Sequence, residues 1–333
     1  MTRDGEKPEP RHRRQYPRVM SFEVTAPTHT IAHISDTHLL GGGRKLFSQV
    51  DVAHNITEIL RRLAGSDQKF DAFVFTGDLA DVGEPDAYRF LRAQVEPIAQ
   101  EMGAQVVWVM GNHDERQPYA RELFDEESDG SPHDRVYDVN GLRIISLDST
   151  VPGYHHGDIE ESQFEWLQEI LATPAPHGTI LALHHPPIPS HNEFVRIIEL
   201  KNQERLAEVL RGTDVRTILG GHLHYSTYSQ FAGIPVAVAS ATCYTVDFGA
   251  DRSLLLRGVD DAQSVQLVHC YDDQVVHTIV PVTEVPALIS YPATQREMLT
   301  NYSDAEIFEM ISNKSSAHNR EESAVSGGMP DAN

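Results

Sequence analysis

Two histidines with one residue between them, His222 and His224, close the stretch "ILGGHLHYST". Side chains two apart in extended backbone point the same way, so the two imidazoles are expected to converge on one point. Gly220 and Gly221, just before them, allow backbone or a ligand to come close. Alone, such a pair is as readily a coincidence of surface or core. Four more apolar runs end in comparable fashion. "TIAHIS" leads into Asp36-Thr37-His38, and "DAFVFT" into Gly77-Asp78-Leu79-Ala80-Asp81. "AQVVWVM" leads into Gly111-Asn112-His113-Asp114, and "TILAL" into His184-His185. Open α/β sheets bind ligands at the carboxyl ends of their strands, and five such endings together point to one site. The candidate metal ligands are Asp36, His38, Asp78, Asn112, His184, His222 and His224. Seven donors exceed the needs of one catalytic ion with open positions. They suit two ions that share a bridging carboxylate. A mixed nitrogen and oxygen set with no thiolate points to Mn, Fe or Zn and away from an all-oxygen Mg or Ca site.

The elements that must carry these residues follow from periodicity. The apolar runs, rich in β-branched and aromatic residues, are the length of buried strands. "VRTIL" leads into the paired histidines, "LRIISL" and "IPVAVASA" are further strands, and "SVQLVHCY" and "QVVHTIVPV" form a hairpin across Asp272 and Asp273. Helical stripes lie between them. One runs Ile56, Ile59, Leu60, Leu63, another Leu91, Val95, Ile98, Met102. A third, Phe164, Leu167, Ile170 and Leu171, follows an expected capping box of Asp158 and Glu161. Leu206, Val209 and Leu210 form a fourth that stops near Gly212. Strand-helix alternation followed by a run of strands predicts a layered α/β fold with more than one sheet.

Composition narrows the class of protein. The 333 residues are 40% hydrophobic and 23% charged, enough for a large core. A net charge of −22 disfavours nucleic acid as a partner, although bound metal ions let an acidic protein hold phosphate. Cys243 and Cys270 are outside any CxxC pattern, which suggests a reduced, cytoplasmic compartment. No apolar stretch approaches the ~20 residues of a transmembrane helix. The basic, Pro-rich N-terminus lacks the apolar region of a secretory signal and is expected to be a disordered arm, residues 1–25. Residues 26–285 are expected to be the catalytic domain and 286–333 an extension whose last ~20 residues are disordered.

Asp36-x-His38, Gly77-Asp78, Gly111-Asn112-His113-Asp114, His184 and Gly221-His222-x-His224 match, in order, the motif blocks of the calcineurin-like metallophosphoesterases. Within that superfamily the chain resembles the bacterial class III cyclic nucleotide phosphodiesterases. "HISDTHLLGG", "VFTGDLADVGEP", "WVMGNHDERQ", "LALHHPPIPS" and "GHLHYSTYSQFAGIPVAVASATCY" are close to actinobacterial members. The resemblance spans roughly residues 30–285 and implies a four-layer αββα sandwich of two mixed sheets. It assigns Asp36, His38, Asp78 and His224 to one ion and Asp78, Asn112, His184 and His222 to the other, with Asp78 bridging. Iron and manganese are the expected pair, with zinc the alternative.

The same resemblance implies hydrolysis of 3',5'-cyclic AMP and related cyclic nucleotides, with a hydroxide held between the ions attacking phosphorus in line. It makes His113 a phosphate contact and the acid that protonates the departing ribose oxygen. Asn112 and His113 would bind substrate, and His155, in "PGYHHGDI", would line the pocket. Near two cations His113 should lose its proton easily unless a carboxylate such as Asp114 offsets them, and the plainer reading of it is an orienting group. Asp81 is expected to support a histidine. His185 is expected to shape the turn before Pro186, and His33 to be a core histidine. The alternatives are another phosphoester, such as a 2',3'-cyclic nucleotide, a nucleotide pyrophosphate or a cell-envelope phosphodiester, and a non-catalytic scaffold. Oligomeric state is open, a homodimer being one arrangement.

Overall fold

The computed structural model describes residues 26–66, 68–251, 253–283 and 285–320. In chain order these form β1 (His29–Ile34), α1 (Val52–Gly65), β2 (Ala72–Thr76), α2 (Pro85–Met102), β3 (Gln105–Val109), α3 (Arg116–Phe124), β4 (Arg135–Val139) and β5 (Leu142–Ser146). There follow α4 (Glu161–Leu171), β6 (Thr179–Ala182), α5 (Gln203–Leu210), β7 (Val215–Gly220), β8 (Thr227–Phe231) and β9 (Ile234–Val238). The chain ends on β10 (Thr245–Val246), β11 (Gly258–Val259), β12 (Ser264–Cys270), β13 (Val275–Pro281), α6 (Ala293–Leu299) and α7 (Asp304–Ser312).

Residues Ala26–Glu284 form one compact unit. Its two large sheets have strand orders β13-β12-β1-β2-β3 and β4-β5-β6-β7-β9-β8. In the first, β1, β2 and β3 run parallel, and β12 and β13 are antiparallel additions. In the second, β5, β6, β7 and β9 run parallel, with β4 and β8 antiparallel at the edges. Both sheets are mixed, and the parallel strands of each deliver the loops after them to one edge.

Alternation along each strand explains the layering. On β2, Phe73 and Phe75 face α1 and α2, while Ala72 and Val74 face the other sheet. On β6, Leu181 joins α4 and α5 on the outside, while Ile180 and Ala182 face inward. Successive side chains point to opposite faces, so a strand buried on both sides reads as an unbroken apolar run. The resulting three apolar layers separate four layers of structure, α-β-β-α.

Several elements differ from the sequence reading. The α4 cap is Glu160, whose N–H donates to Gln163 Oε1 at 2.9 Å. Asp158 instead accepts from Asn202 Nδ2 at 2.7 Å, so the capping box sits at Glu160 and Gln163 instead of Asp158 and Glu161. Strands β4 and β8 escaped notice because both are half exposed on sheet edges and lack an apolar run.

The described part of the other unit carries α6 and α7. Helix α7 opens on a Ser303/Glu306 capping box. The expected arm, 1–25, and residues 321–333 of the expected tail lie outside the described residues. Residues 313–320 are described, with Ser316 Oγ donating to Met310 O at 2.7 Å. No helix among the described residues is long and apolar enough to cross a membrane.

Candidate active site

The loops after β1, β2, β3, β6 and β7 meet at one edge of the sandwich. They bring all seven sequence-predicted metal ligands together. Asp36, His38, Asp78 and His224 form one buried cluster whose candidate ligand atoms lie within 4.8 Å of one another. His38 Nε2 and His224 Nε2 are 3.2 Å apart, and His224 Nε2 is 3.4 Å from Asp36 Oδ1. Next to it, His184 Nε2 is 3.2 Å from Asn112 Oδ1, and the His184 and His222 rings are 5.0 Å apart. One oxygen links the groups: Asp78 Oδ2 lies 3.4 Å from His38 Nε2 and 3.3 Å from His184 Nε2.

The backbone that achieves this is strained. Asp36, His38, Asp78, His222 and His224 all have φ between 43° and 68°. Non-glycine residues rarely occupy that region, at a cost of ~1–3 kcal/mol each, and such residues gather at functional sites. The expectation that His222 and His224 converge from extended backbone is therefore corrected. Strand β7 ends at Gly220, both histidines are left-handed, and their rings part company, His222 toward His184 and His224 toward His38. Glycine is needed where the loops touch. A Cβ on Gly221 would lie 2.0 Å from Ser35 Oγ, and one on Gly111 would lie 2.1 Å from the Asp78 nitrogen.

Hydrogen bonds on the far side of each imidazole decide which nitrogen faces the cluster. His184 Nδ1 donates to Thr76 O at 2.7 Å, and His224 Nδ1 to Tyr244 O at 3.1 Å. His38 Nδ1 donates to Asp81 Oδ1 at 2.9 Å, and His222 Nε2 to Ile198 O at 3.1 Å. A carbonyl only accepts, so these partners fix the tautomer and leave a lone pair on His184 Nε2, His224 Nε2, His38 Nε2 and His222 Nδ1. Asp81 thus takes the supporting position expected of it.

The electrostatics suit cations. Burial opposes charge on Asp78, yet His184 and His38 outweigh it and hold the carboxyl well below its usual range. Burial likewise opposes charge on His38 and His184, but the carboxylates raise them to about 10 and about 9. His222, buried beside His185 and His184, is held well below its usual range and stays neutral. Positive charge is therefore drawn to Asp78, where a cation would take the place of protons on the flanking imidazoles. The residues present fit a pair of such ions: two carboxylates, an amide oxygen and four oriented imidazoles.

Nearby groups sort themselves by their hydrogen bonds. His185 is fully buried and sits 4.5 Å ring to ring from His222. Its Nε2 donates to His155 O at 3.1 Å and its Nδ1 accepts from Ser149 Oγ at 2.8 Å, so neither nitrogen is left for an ion. Burial, with His184 adding to it, pushes His185 down to about 3. His33 is buried against Thr76 Oγ1 at 2.9 Å, as a core histidine would be. Cys243, read from the sequence only for its lack of a CxxC partner, has its sulfur 3.7 Å from His224 Nδ1. Burial and Asp36 push its thiol well above the ordinary range, and its sulfur lies on the side of His224 Nδ1, the nitrogen that donates to Tyr244 O.

His113 is tethered without being consumed. Its N–H donates to Asp78 Oδ1 at 2.8 Å, and its Nδ1 donates to Asp81 O at 2.8 Å, leaving Nε2 for a ligand. The carboxylate near it is Asp81, with Oδ1 3.7 Å from Nδ1, and not Asp114. Asp114 turns inward, accepting from Ala80 N at 3.0 Å, Gly111 N at 2.9 Å and Tyr88 Oη at 2.9 Å. It ties the β2 and β3 loops together, a role no spacing rule announces. His155 Nδ1 accepts from Asn112 Nδ2 at 2.9 Å, which turns Asn112 Oδ1 toward His184.

These groups open into a cavity of about 430 Å³ lined by His38, Asp78, Asn112, His113, His155 and His224 among others. A larger groove of about 620 Å³, lined by Asp71, Glu96, Asp138 and neighbours, carries none of the sequence-predicted residues.

Adjoining clusters of carboxylates and imidazoles able to hold metal, at the loop edge of a four-layer αββα sandwich, define a class of phosphoesterase. The chain belongs to the calcineurin-like phosphoesterases, whose sequence profile matches residues 29–226. It is 56% identical over 264 residues to a cAMP/cGMP dual specificity phosphodiesterase of Mycobacterium tuberculosis, covering 79% of this chain and 83% of that one. It is 32% identical to the 3',5'-cyclic adenosine monophosphate phosphodiesterase CpdA of Escherichia coli, covering 64% of this chain and 76% of the relative. Among solved structures, a dimetal phosphatase from Danio rerio shares the fold with a TM-score of 0.55 at 15% identity, over 78% of this chain and 98% of that one.

Proposed function

We propose that the chain is a dinuclear-metal phosphodiesterase that hydrolyses 3',5'-cyclic AMP and other cyclic nucleotides to the nucleoside monophosphate. The observation that carries the reading is the Asp78 carboxylate oxygen lying between His38 and His184. One ion is assigned to Asp36, His38, Asp78 and His224, the other to Asp78, Asn112, His184 and His222. Two cations held by these residues would supply charge to neutralise phosphoryl oxygens and would lower the pKa of a water toward ~7. The lining of the cavity contains no Lys or Arg, so beyond its imidazoles such ions would be its source of positive charge for a phosphate.

The chain's own groups do the rest. Asp81 orients His38 through its carboxylate and His113 through its carbonyl. His113, with Nδ1 spent on that carbonyl, presents Nε2 to the departing ribose oxygen and passes it a proton. His155 holds the Asn112 amide in the orientation that offers its oxygen inward. Iron with manganese suits this donor set, with zinc the alternative. The activity is assigned to residues 26–285, and two buried free thiols suit a cytoplasmic location.

The test is a panel of phosphoesters with metal-reconstituted full-length protein: cyclic AMP, cyclic GMP, a 2',3'-cyclic nucleotide, a nucleotide pyrophosphate and bis(p-nitrophenyl) phosphate. Highest kcat/KM on the 3',5'-cyclic nucleotides is expected. Preference for any other member replaces the substrate assignment, and full activity after complete chelation overturns the metal reading.

A further inference from the structure

The lining of the metal-facing cavity includes apolar residues as well as carboxylates, and two of its aromatic rings are exposed. Phe47 is 66% exposed and Phe194 is 54% exposed, and both line the cavity with Leu256. They occupy different lips. Phe47 stands beside the His224 corner: its ring lies 5.4 Å from that of Tyr244, which lies 4.4 Å from that of His224. Phe194 leads the 3-10 turn Val195–Ile198, whose last carbonyl takes the His222 proton at the other corner.

The Phe47 loop is built to hold that ring out. Leu46 and Val50 are buried and exchange backbone hydrogen bonds of 2.9 Å in both directions. Between them Phe47 has φ 51° and Ser48 φ 59°. A bulky residue in that region is a genuine outlier. Strain of this kind is found at ligand clamps, where surrounding structure over-determines the conformation. Here it keeps a large apolar ring in solvent at the rim of a polar cavity, where burying it would be the favourable choice.

We infer that Phe47 and Phe194 form the subsite for the nucleobase, gripping the flat faces of the ring while the phosphate sits over Asp78. This rests on the cyclic-nucleotide reading above. The cavity volume of about 430 Å³ is in the range of small-molecule sites. The chemistry of the lip also sets its selectivity. Phe47, Phe194, Val195, Val246 and Leu256 have no polar side-chain atom, and the one amide in the cavity, Asn112, is already committed to His155 and His184. Tyr244, beside Phe47, adds one hydroxyl, which can donate or accept and so suits either purine edge. Stacking is tolerant because every base has a π-face, whereas discrimination needs hydrogen bonds to base edges. The subsite therefore takes adenine and guanine with similar affinity.

The experiment uses metal-loaded full-length protein with Phe47→Ala, Phe194→Ala and Phe47→Tyr. It measures kcat and KM for cyclic AMP and cyclic GMP, and inhibition by AMP and by inorganic phosphate. Each alanine variant should raise KM on the order of tenfold for both nucleotides, with the loss carried by KM more than kcat. AMP inhibition should weaken by a similar factor while phosphate inhibition keeps its wild-type strength, and Phe47→Tyr should restore both. An unchanged preference for AMP over phosphate in both alanine variants overturns the clamp. Parallel loss of AMP and phosphate binding also overturns it, since that signals damage to the metal cluster. A KM increase confined to one nucleotide overturns the base tolerance. Wild-type protein that cleaves bis(p-nitrophenyl) phosphate but not cyclic AMP overturns the substrate reading itself, independently of what the variants do.

Discussion

The two sheets make unequal contributions to the site. The sheet built on β1, β2 and β3 supplies Asp36, His38, Asp78 and Asn112, which include every oxygen donor. The sheet built on β6 and β7 supplies His184, His222 and His224, which are all imidazoles. Neither sheet holds a complete set for either assigned ion. Asp36, His38 and Asp78 need His224 from across the interface, and Asn112 needs His184 and His222. The 3.3 Å contact of Asp78 with His184 is therefore set by how the sheets pack, through Ile31, Val74 and Val109 against Ile144, Ile180 and Leu219. A half that holds every carboxylate and a half of imidazoles, held together by an apolar layer, meet at the Asp78 carboxylate.

The sharpest way to break that comparison is at the bridge. Asp78→Ala should take the bound metal from about two ions per chain to nearly none, since two-ion sites rely on the shared ligand. Asn112→Ala should lose only one. Elemental analysis of both variants reads the difference, and equal losses contradict the bridging role. The next effect is chemical. His113→Ala should keep both ions and lower kcat/KM for cyclic AMP by about 10²- to 10⁴-fold, the range of general-acid help. Loss on bis(p-nitrophenyl) phosphate should be much smaller, because a phenolate leaves without a proton. Equal losses on both substrates would make His113 a phosphate-positioning group.

A smaller effect is expected one shell out, in the half that holds the carboxylates. Asp81→Ala removes the carboxylate that orients His38 and should weaken metal binding by about 10- to 100-fold. Titration with manganese, followed by isothermal calorimetry, checks this against wild type. The smallest effect tests the interface itself with a matched pair. Ile180→Val faces the other sheet and Ile145→Val faces the outer helices. Each should cost ~0.5–1.5 kcal/mol in the metal-free protein. Only Ile180→Val should also shrink the stabilisation that metal adds, because it alone lies between the halves of the site. Thermal melts with and without metal measure both terms, and identical metal-dependent shifts would separate the site from the interface.

Much of this was legible in the chain itself. Buried strands on both faces of a sheet need apolar residues at every position, so "DAFVFT" and "TILAL" announce themselves, and polar residues after such runs stand out as site candidates. The seven candidate donors and their mixed nitrogen and oxygen chemistry follow from residue types alone, and their number is what led to the expectation of two ions. Exposed edge strands such as β4 and β8 carry no such pattern, because water satisfies one face and most side chains are tolerated there. Local capping was misplaced by two residues because Asp158 found Asn202, a partner from a distant helix start.

What only the tertiary structure decided is which atoms meet. Alternation along an extended backbone put His222 and His224 in one place, and only the family resemblance set them at different ions. Left-handed turns held by neighbouring loops send them to different corners instead, and strain of that kind is imposed by packing, not by the residues that bear it. The choice of imidazole nitrogen is likewise made by carbonyls of Thr76, Tyr244 and Ile198, far away in the chain. The inward turn of Asp114, the exclusion of His185 and the outward Phe47 ring have the same origin. Residue type determines what chemistry a chain can perform. Hydrogen bonds and contacts between distant segments decide where each donor points, and no local pattern encodes them.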